Sequence, residues 1–320
     1  MLDIVPGSDN VPAPTTDPSG NTYGSQYIGG NARVINGDIL IYKPEPQNAV
    51  QKFRADVLNW LSPLTFRPFH EEVREKTVRQ DTTVHARTSG NYSGKWLLES
   101  DAFEEWRSRE TRKLWYHGMP GAGKTVLASV VIDHLIGLSH SLPGEDSFKV
   151  AYLYLTYKQQ HSLIHLLGSI VRQLVQDDEK LPDIVLKEYT LHKNRGNETP
   201  TQQDLSIMLA SLVQDRSLYI VIDGLDECPR DTRRPLVQLL QPASFQSLKL
   251  NLLITSRLLD EFETLAKGFE RIDIKADARD LDLFVDGKFD DDAYLKGFAE
   301  QDPRLQQDVK DAIRRRWDGM

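Results

Sequence analysis

The spacing of apolar positions changes near residue 113, and the change divides the chain. Before it, Val50, Phe53, Val57 and Leu61 recur at helical intervals until Pro63, where a ring and a missing N–H end a helix. A first amphipathic helix is predicted there. Residues 64–95 are mixed and polar and give no assignment, whereas Trp96, Leu97, Phe103 and Trp106 predict a helix or turn packed on the segment that follows. From Lys113 on, short apolar runs alternate with stretches of 3.6-residue periodicity. Leu114–His117 and Val150–Thr156 read as strands, and Thr125–Leu135 as a helix whose apolar face is Leu127, Val130, Val131 and Leu135. Leu163, Leu166, Leu167, Ile170, Val171 and Leu174 trace another helix; Thr201 with Asp204 forms a capping-box signature before Leu205, Met208, Leu209 and Leu212. Leu218–Ile222 and Leu250–Thr255 are unbroken apolar runs, as strands buried on both faces of a parallel sheet require. After about residue 276 the strands stop, and Leu281, Phe284 and Val285, then Leu305, Val309 and Ile313, read as helices of an appended bundle. The expected fold is α/β, a parallel sheet covered by helices on both faces with a helical C-terminal extension.

Four regions follow from this pattern: 1–46, 47–112, 113–275 and 276–320. The first is rich in Pro, Gly, Asn, Ser and Thr and offers too little apolar surface to offset the entropy of ordering, so it reads as a flexible arm. Within it, Gln26–Tyr42 alternates β-prone and small polar residues, with Gly29-Gly30 and Asn36-Gly37 as turn signals for a short strand or hairpin. Residues 47–112 read as a helical linker, 113–275 as the α/β domain and 276–320 as a partial helical extension. The formal charge of −8 argues against a general polyanion-binding surface, so nucleic acid is not expected as a partner. One cysteine, Cys228, excludes a disulfide framework and fits a reducing, cytoplasmic compartment. No basic, then apolar, leader opens the sequence, and no apolar run reaches membrane length.

The chemistry concentrates at the predicted strand ends. Gly118-Met119-Pro120-Gly121-Ala122-Gly123-Lys124-Thr125 matches G-x-x-x-x-G-K-[ST] between a strand and a helix. There the glycines let successive N–H groups converge on phosphate oxygens, and the helix N-terminus adds partial positive charge. Lys124 is expected to reach the β- and γ-phosphates, and the Thr125 hydroxyl to coordinate Mg2+. The strand Leu218–Ile222 ends in Asp223, the form of a Walker B element whose carboxylate holds the metal directly or through water. Just beyond it, Asp226 and Glu227 either orient and deprotonate an attacking water or cap the helix that follows near Asp231. The strand Leu250–Thr255 runs into Ser256-Arg257, and an arginine at that edge would stabilise charge on the γ-phosphate. Cys228 has no evident reactive partner, and the eight histidines show no metal-site spacing.

The segments Gly118–Thr125, Val221-Ile222-Asp223-Gly224-Leu225-Asp226-Glu227-Cys228 and Leu252-Leu253-Ile254-Thr255-Ser256-Arg257 together resemble a NACHT domain. That family belongs to the signal-transduction NTPases with numerous domains, which include animal and fungal NOD-like receptors. Gly94-Lys95-Trp96-Leu97-Leu98-Glu99-Ser100, with Phe103 and Trp106, is similar to the segment before the NACHT core in fungal members with ankyrin or WD repeats. The resemblance implies an ATP- and Mg2+-dependent switch, held closed by ADP and reset by slow hydrolysis, acting in innate-immunity-like or heterokaryon-incompatibility signalling. It also implies that self-association or an effector protein is engaged through the N-terminal arm. Trp317–Met320 falls inside the family's helical region, so the winged-helix histidine that contacts nucleotide, and any repeat sensor, have no counterpart in this sequence. Gly30–Asp38 resembles the amyloid-signalling motif of the fungal HET-s type, with a linker or small docked hairpin as the other readings of the same residues. Two rivals stay open: a nucleotide-binding scaffold without turnover, and a small-molecule P-loop kinase, for which no basic acceptor lid is evident.

Overall fold

The computed structural model describes residues 15–16, 22–23, 25–27, 32–35, 38–41, 46–81, 93–109, 112–142, 148–196, 199–213, 217–240, 249–275 and 277–317. The chain divides into two units, residues 1–56 and 57–320. In the first, β1 (Thr15–Thr16) pairs antiparallel with β2 (Thr22–Tyr23), and β3 (Ser25–Tyr27), β4 (Ala32–Ile35) and β5 (Asp38–Ile41) form a three-stranded antiparallel sheet. Register pairs Gln26 with Val34 and Val34 with Ile39. The segment read as an amyloid motif or hairpin thus supplies β4; its turn signals Gly29-Gly30 and Asn36-Gly37 lie outside the described residues. The helix α1 (Pro46–Leu61) begins in this unit and ends two residues before Pro63.

The second unit is built on β6 (Lys113–His117), β7 (Phe148–Tyr154), β8 (Ser217–Asp223), β9 (Leu250–Ser256) and β10 (Glu270–Asp273). All neighbours are parallel, in the order β10-β6-β9-β8-β7. In β8 every residue after Ser217 is buried, and in β9 all seven are, which is why both read as unbroken apolar runs. β10 is exposed and charged at three of its four positions, and it closes the sheet at an edge. The hydrophobic pattern gave no sign of it, because charge is how an edge strand resists pairing with another chain.

Helices α2 (Arg67–Asp81), α3 (Lys95–Leu98), α4 (Asp101–Ser108), α5 (Lys124–Ser141), α6 (Leu163–Val175), α7 (Asp183–Asn194), α8 (Gln202–Leu212), α9 (Arg230–Leu239) and α10 (Asp260–Leu265) surround the sheet. α11 (Ala278–Asp291), α12 (Ala293–Gln301) and α13 (Leu305–Trp317) follow it. On one face α5 packs on β7, β8 and β9 and carries α2, and α2 in turn carries α11; α6 packs with α8 and α9. α2 lies in the stretch that gave no assignment. Its buried positions at helical spacing, His70 and Thr77, are polar, and the apolar Phe66 in line with them stands just before the helix, so the pattern is hard to see. α8 opens with the capping box read from Thr201 and Asp204.

A polar residue inside β9 explains how the pre-sheet helices are fixed. Asn251 is buried, its Nδ2 donating to the carbonyls of Trp106 (2.7 Å) and Arg109 (2.8 Å) while its Oδ1 accepts from Arg112 N (3.2 Å). One amide therefore satisfies the chain end of α4 and the entry to β6, as buried backbone groups require. Trp106, also buried, donates from Nε1 to Leu252 O at 3.2 Å.

Candidate functional site

The strand order brings the ends of β6, β8 and β9 together at one edge, where open parallel sheets hold ligands. Gly118, the first residue after β6, donates its N–H to Ser256 O at 3.3 Å, so the glycine loop begins anchored to the neighbouring strand. Gly121 and Gly123 adopt φ of 84° and 82°, a region that side-chain-bearing residues avoid. No atom stands within 4 Å of where a Cβ would be at either position. Gly123 is also the N-cap of α5, so the unsatisfied first-turn N–H groups of that helix open toward the same space. Lys124 folds back along the loop, its Nζ donating to Gly118 O (2.9 Å) and Met119 O (2.8 Å). Burial pulls the Lys124 ammonium below the ordinary lysine pKa, against the opposing pull of Asp226 and Asp223.

β8 delivers Asp223 to the floor of the site, 5% exposed. Its two oxygens are held separately: Oδ2 accepts from Thr125 Oγ1 at 2.8 Å and Oδ1 from Thr255 Oγ1 at 2.6 Å. Thr255 Oγ1 in turn accepts the N–H of Gly224 at 3.0 Å. Burial pushes the carboxyl above the usual range, and the two hydroxyls work against that push.

Asp226 and Glu227 share one turn of 3-10 helix, Leu225–Glu227, yet serve different neighbours. The Asp226 carboxylate, 7% exposed, accepts from Arg257 N at 3.1 Å and pairs with Arg257 Nε at 3.2 Å. Glu227 Oε2 accepts from Tyr157 N at 3.1 Å, across the loop that leaves β7. Neither acid caps the following helix: α9 has Pro229 at its N-cap and no side-chain cap hydrogen bond. The capping alternative for these acids is therefore not what the fold uses.

These groups line one cleft of about 370 Å³, with Pro120, Gly121, Gly123, Lys124 and Thr125 on one side and Asp223, Asp226, Glu227 and Arg257 on the other. Of the remaining loop positions, Gly118 and Met119 face Lys124 through their carbonyls, and Ala122 is buried beneath. Sequence reasoning missed two aromatic walls of this cleft, Phe69 on α2 and Tyr154 at the end of β7, whose rings lie 4.9 Å apart. Tyr154 is in register with Asp223, a pairing that could be read only once both strands were placed side by side. Its hydroxyl meets His70 Nδ1 at 2.8 Å, and His70 Nε2 meets Asp133 Oδ1 of α5 at 3.1 Å. α2 is thereby tied to both the strand and the helix that frame the cleft.

Cys228 is buried, and burial pushes its thiol up to about 11, consistent with a structural role. Contrary to the absence of metal-site spacing in the sequence, Glu188, His192 and Asp204 place one ligand atom each within 4.8 Å of one another. Asp204 Oδ2 is already occupied there by Thr201 N, Thr201 Oγ1 and His192 Nε2, so the cluster is accounted for by the cap of α8. Among the described residues, no helix is long and apolar enough to cross a membrane.

The profile of the family described as "Nephrocystin 3, N-terminal" matches residues 92–257. The "Vegetative incompatibility protein HET-E-1" of Podospora anserina is 28% identical over 173 residues, which is 52% of this chain and 12% of that protein's length. Among solved structures, the Aeropyrum pernix ORC2 protein (ADPNP-ADP complexes) aligns with a TM-score of 0.39 at 14% identity, over 62% of this chain and 50% of that one. Drosophila ORC bound to DNA aligns with a TM-score of 0.38 at 16% identity, over 65% and 50%. At that level of likeness the nucleotides and DNA of those complexes say nothing of this chain.

Proposed function

The chain belongs to the nephrocystin 3 N-terminal family and is a NACHT-like P-loop NTPase; from that premise we propose that its cleft binds ATP with Mg2+ and hydrolyses it slowly to ADP, as the switch of a signalling protein. The observation that carries this reading is the hydrogen bond from Thr125 Oγ1 to Asp223 Oδ2. It joins the two hard oxygen donors suited to magnesium, which takes one or two protein ligands and keeps its waters. The positive-φ loop beside them leaves open space where phosphates would enter. The residues present therefore fit Mg2+-nucleotide, with Thr125 and Asp223 as the metal-holding pair and Gly118–Thr125 as the phosphate cradle. When bound, ATP with its metal supplies the phosphoryl group for transfer to water.

The protein's own part is to bind, orient and hold charge. Lys124, now bonded to two loop carbonyls, would turn its ammonium to the phosphates. Arg257, half-exposed and fixed at Nε by Asp226, would meet charge on the outermost phosphate. This assigns Asp226 to holding Arg257 and leaves Glu227 as the acid that orients the attacking water and takes its proton. A part in incompatibility-type signalling is supported by the likeness to the Podospora protein, of which this chain covers a small share. Self-association or effector contact through residues 1–46 belongs to the same proposal.

Glu227→Gln separates catalysis from binding. Calorimetry should give wild-type ATP affinity, while single-turnover hydrolysis of labelled ATP falls by about 100-fold to 10,000-fold. Hydrolysis at the wild-type rate would remove Glu227 from the chemistry. Wild-type protein that retains ATP without any turnover would instead make this a nucleotide-held scaffold.

A further inference from the structure

Arg233 lies one helix beyond the site, and no motif marks it. It is 6% exposed, an unusual position for a guanidinium, which is buried only where it is paired. Its Nη1 donates to the backbone carbonyl of Asp226 at 3.3 Å, and its Nη2 pairs with the Glu261 carboxylate on α10. The guanidinium also stacks over the Phe262 ring, 5.1 Å from its centre. Glu261 is held from its other side by Arg230 Nε at 3.2 Å.

These contacts close a ring. Asp226 grips Arg257 by backbone and side chain; Arg233 grips Asp226 through its carbonyl; Glu261, four residues after Arg257 in the chain, grips Arg233. The loop leaving β8 and the loop leaving β9 are thus joined twice, once at the cleft and once behind it. A lysine could meet either Asp226 O or Glu261, but a single ammonium lacks the planar fork that spans both.

We infer that Arg233 is a positioning residue, which sets Asp226 so that the Arg257 guanidinium faces the phosphate cleft. The inference rests on the reading of Arg257 given above. Because Asp226 is what fixes Arg257, the effect on hydrolysis should pass mainly through Arg257, which makes the two residues non-additive.

The experiment is a double-mutant cycle on the full chain, Arg233→Gln with Arg257→Ala, read by single-turnover ATP hydrolysis, by ATP affinity and by melting temperature. Arg257→Ala alone should slow hydrolysis by about 100-fold or more, the usual loss for one charge-stabilising donor. Arg233→Gln alone should slow it by roughly 10-fold to 100-fold with ATP affinity unchanged, and should cost much less once Arg257 is gone. If Arg233→Gln fails to fold, Arg233→Lys carries the same cycle, with most of the loss and a near-native melting temperature. Equal losses from the Arg233 variant in both backgrounds, or full rescue by lysine, would overturn the inference while leaving the site reading intact. Wild-type turnover in Arg257→Ala would overturn the site reading, and the inference with it.

Discussion

At the scale of single residues, Asp204 shows how a sequence signature becomes a measurable energy. The Thr201 and Asp204 spacing announced a capping box, and both halves form: Asp204 N donates to Thr201 Oγ1 at 3.2 Å and Thr201 N to Asp204 Oδ2 at 2.8 Å. What the spacing could not announce is His192, whose Nε2 lies 2.9 Å from the same oxygen and comes from the preceding helix. Burial raises the Asp204 pKa, but the Thr201 hydroxyl and N–H, then His192, outweigh it and hold the carboxyl below the usual range. A lowered folded pKa means the native state binds its proton less tightly than the unfolded chain. The stabilisation is therefore fully present above the ordinary value of 3.8 and is lost as pH falls through the lowered one. Asp204→Asn should cost about 0.5–2 kcal/mol at pH 7, the usual range for a lost cap. For a domain of this size that is roughly 2–4 °C of melting temperature per kcal/mol. In calorimetry from pH 7 to pH 3 the gap from wild type should narrow with acid; a gap that stays constant would assign the loss to packing rather than to the carboxylate.

At the scale of elements, what could be read followed how local the signal was. β8 and β9 stood out because burial on both faces leaves them apolar up to Asp223 in β8 and up to Thr255 and Ser256 in β9, apart from Asn251, whose partners are at the end of the strand away from the site. The glycine loop was legible because all its chemistry lies within eight residues. α2 and the Phe69 wall were not, since Phe69 acquires meaning only against Tyr154, from a strand it never neighbours in sequence. Gly168 is a sharper case. It sits mid-helix in α6, where alanine is ordinarily better by about 1 kcal/mol, and nothing local explains it. The end of α1 does: a Cβ at residue 168 would lie 2.0 Å from Leu61 O and 3.2 Å from Ser62 Cβ. Around that contact Ser62 Oγ donates to His165 O at 2.8 Å and Arg172 Nη1 to Ser62 O at 2.7 Å, so the backbones cannot part without losing both. Overpacking of this kind costs about 1–3 kcal/mol or more, which exceeds the propensity gain. Gly168→Ala should therefore lower the melting temperature, and a variant more stable than wild type would mean that the α1–α6 approach is not as close as described.

At the scale of the whole second unit, the question is what seats the C-terminal helices. Leu281, Phe284 and Val285 identified a helix at the right place, yet of these only Val285 is buried, and Phe284 is 43% exposed. The apolar face that α11 does bury is Leu283, Val285 and Phe289, of which the sequence pattern singled out one. A polar clasp adds to that packing: Asp280 accepts the Gly94 N–H on both oxygens, at 3.0 and 3.2 Å, and Trp96 Nε1 at 2.9 Å. Gly94 in turn lies against the helix that begins at the phosphate loop, since a Cβ there would stand 2.9 Å from Leu127 Cδ2 and 3.4 Å from Val130 Cγ2. The clasp joins residues 184 positions apart, which is why the Gly94–Ser100 signature could be noticed in the sequence but its purpose could not. Removing the carboxylate leaves two part-buried donors without their acceptor, a loss of about 1–3 kcal/mol. Hydrogen exchange reads such a loss locally, because segments open in cooperative units with their own free energies. In Asp280→Ala, amides of residues 93–98 and 278–291 should exchange faster together, by roughly 5-fold to 150-fold, while β8 and β9 keep wild-type protection. If residues 93–98 accelerate and α11 does not, the contact of α11 with α2 suffices to seat it, and the clasp serves only the turn before the phosphate-loop strand.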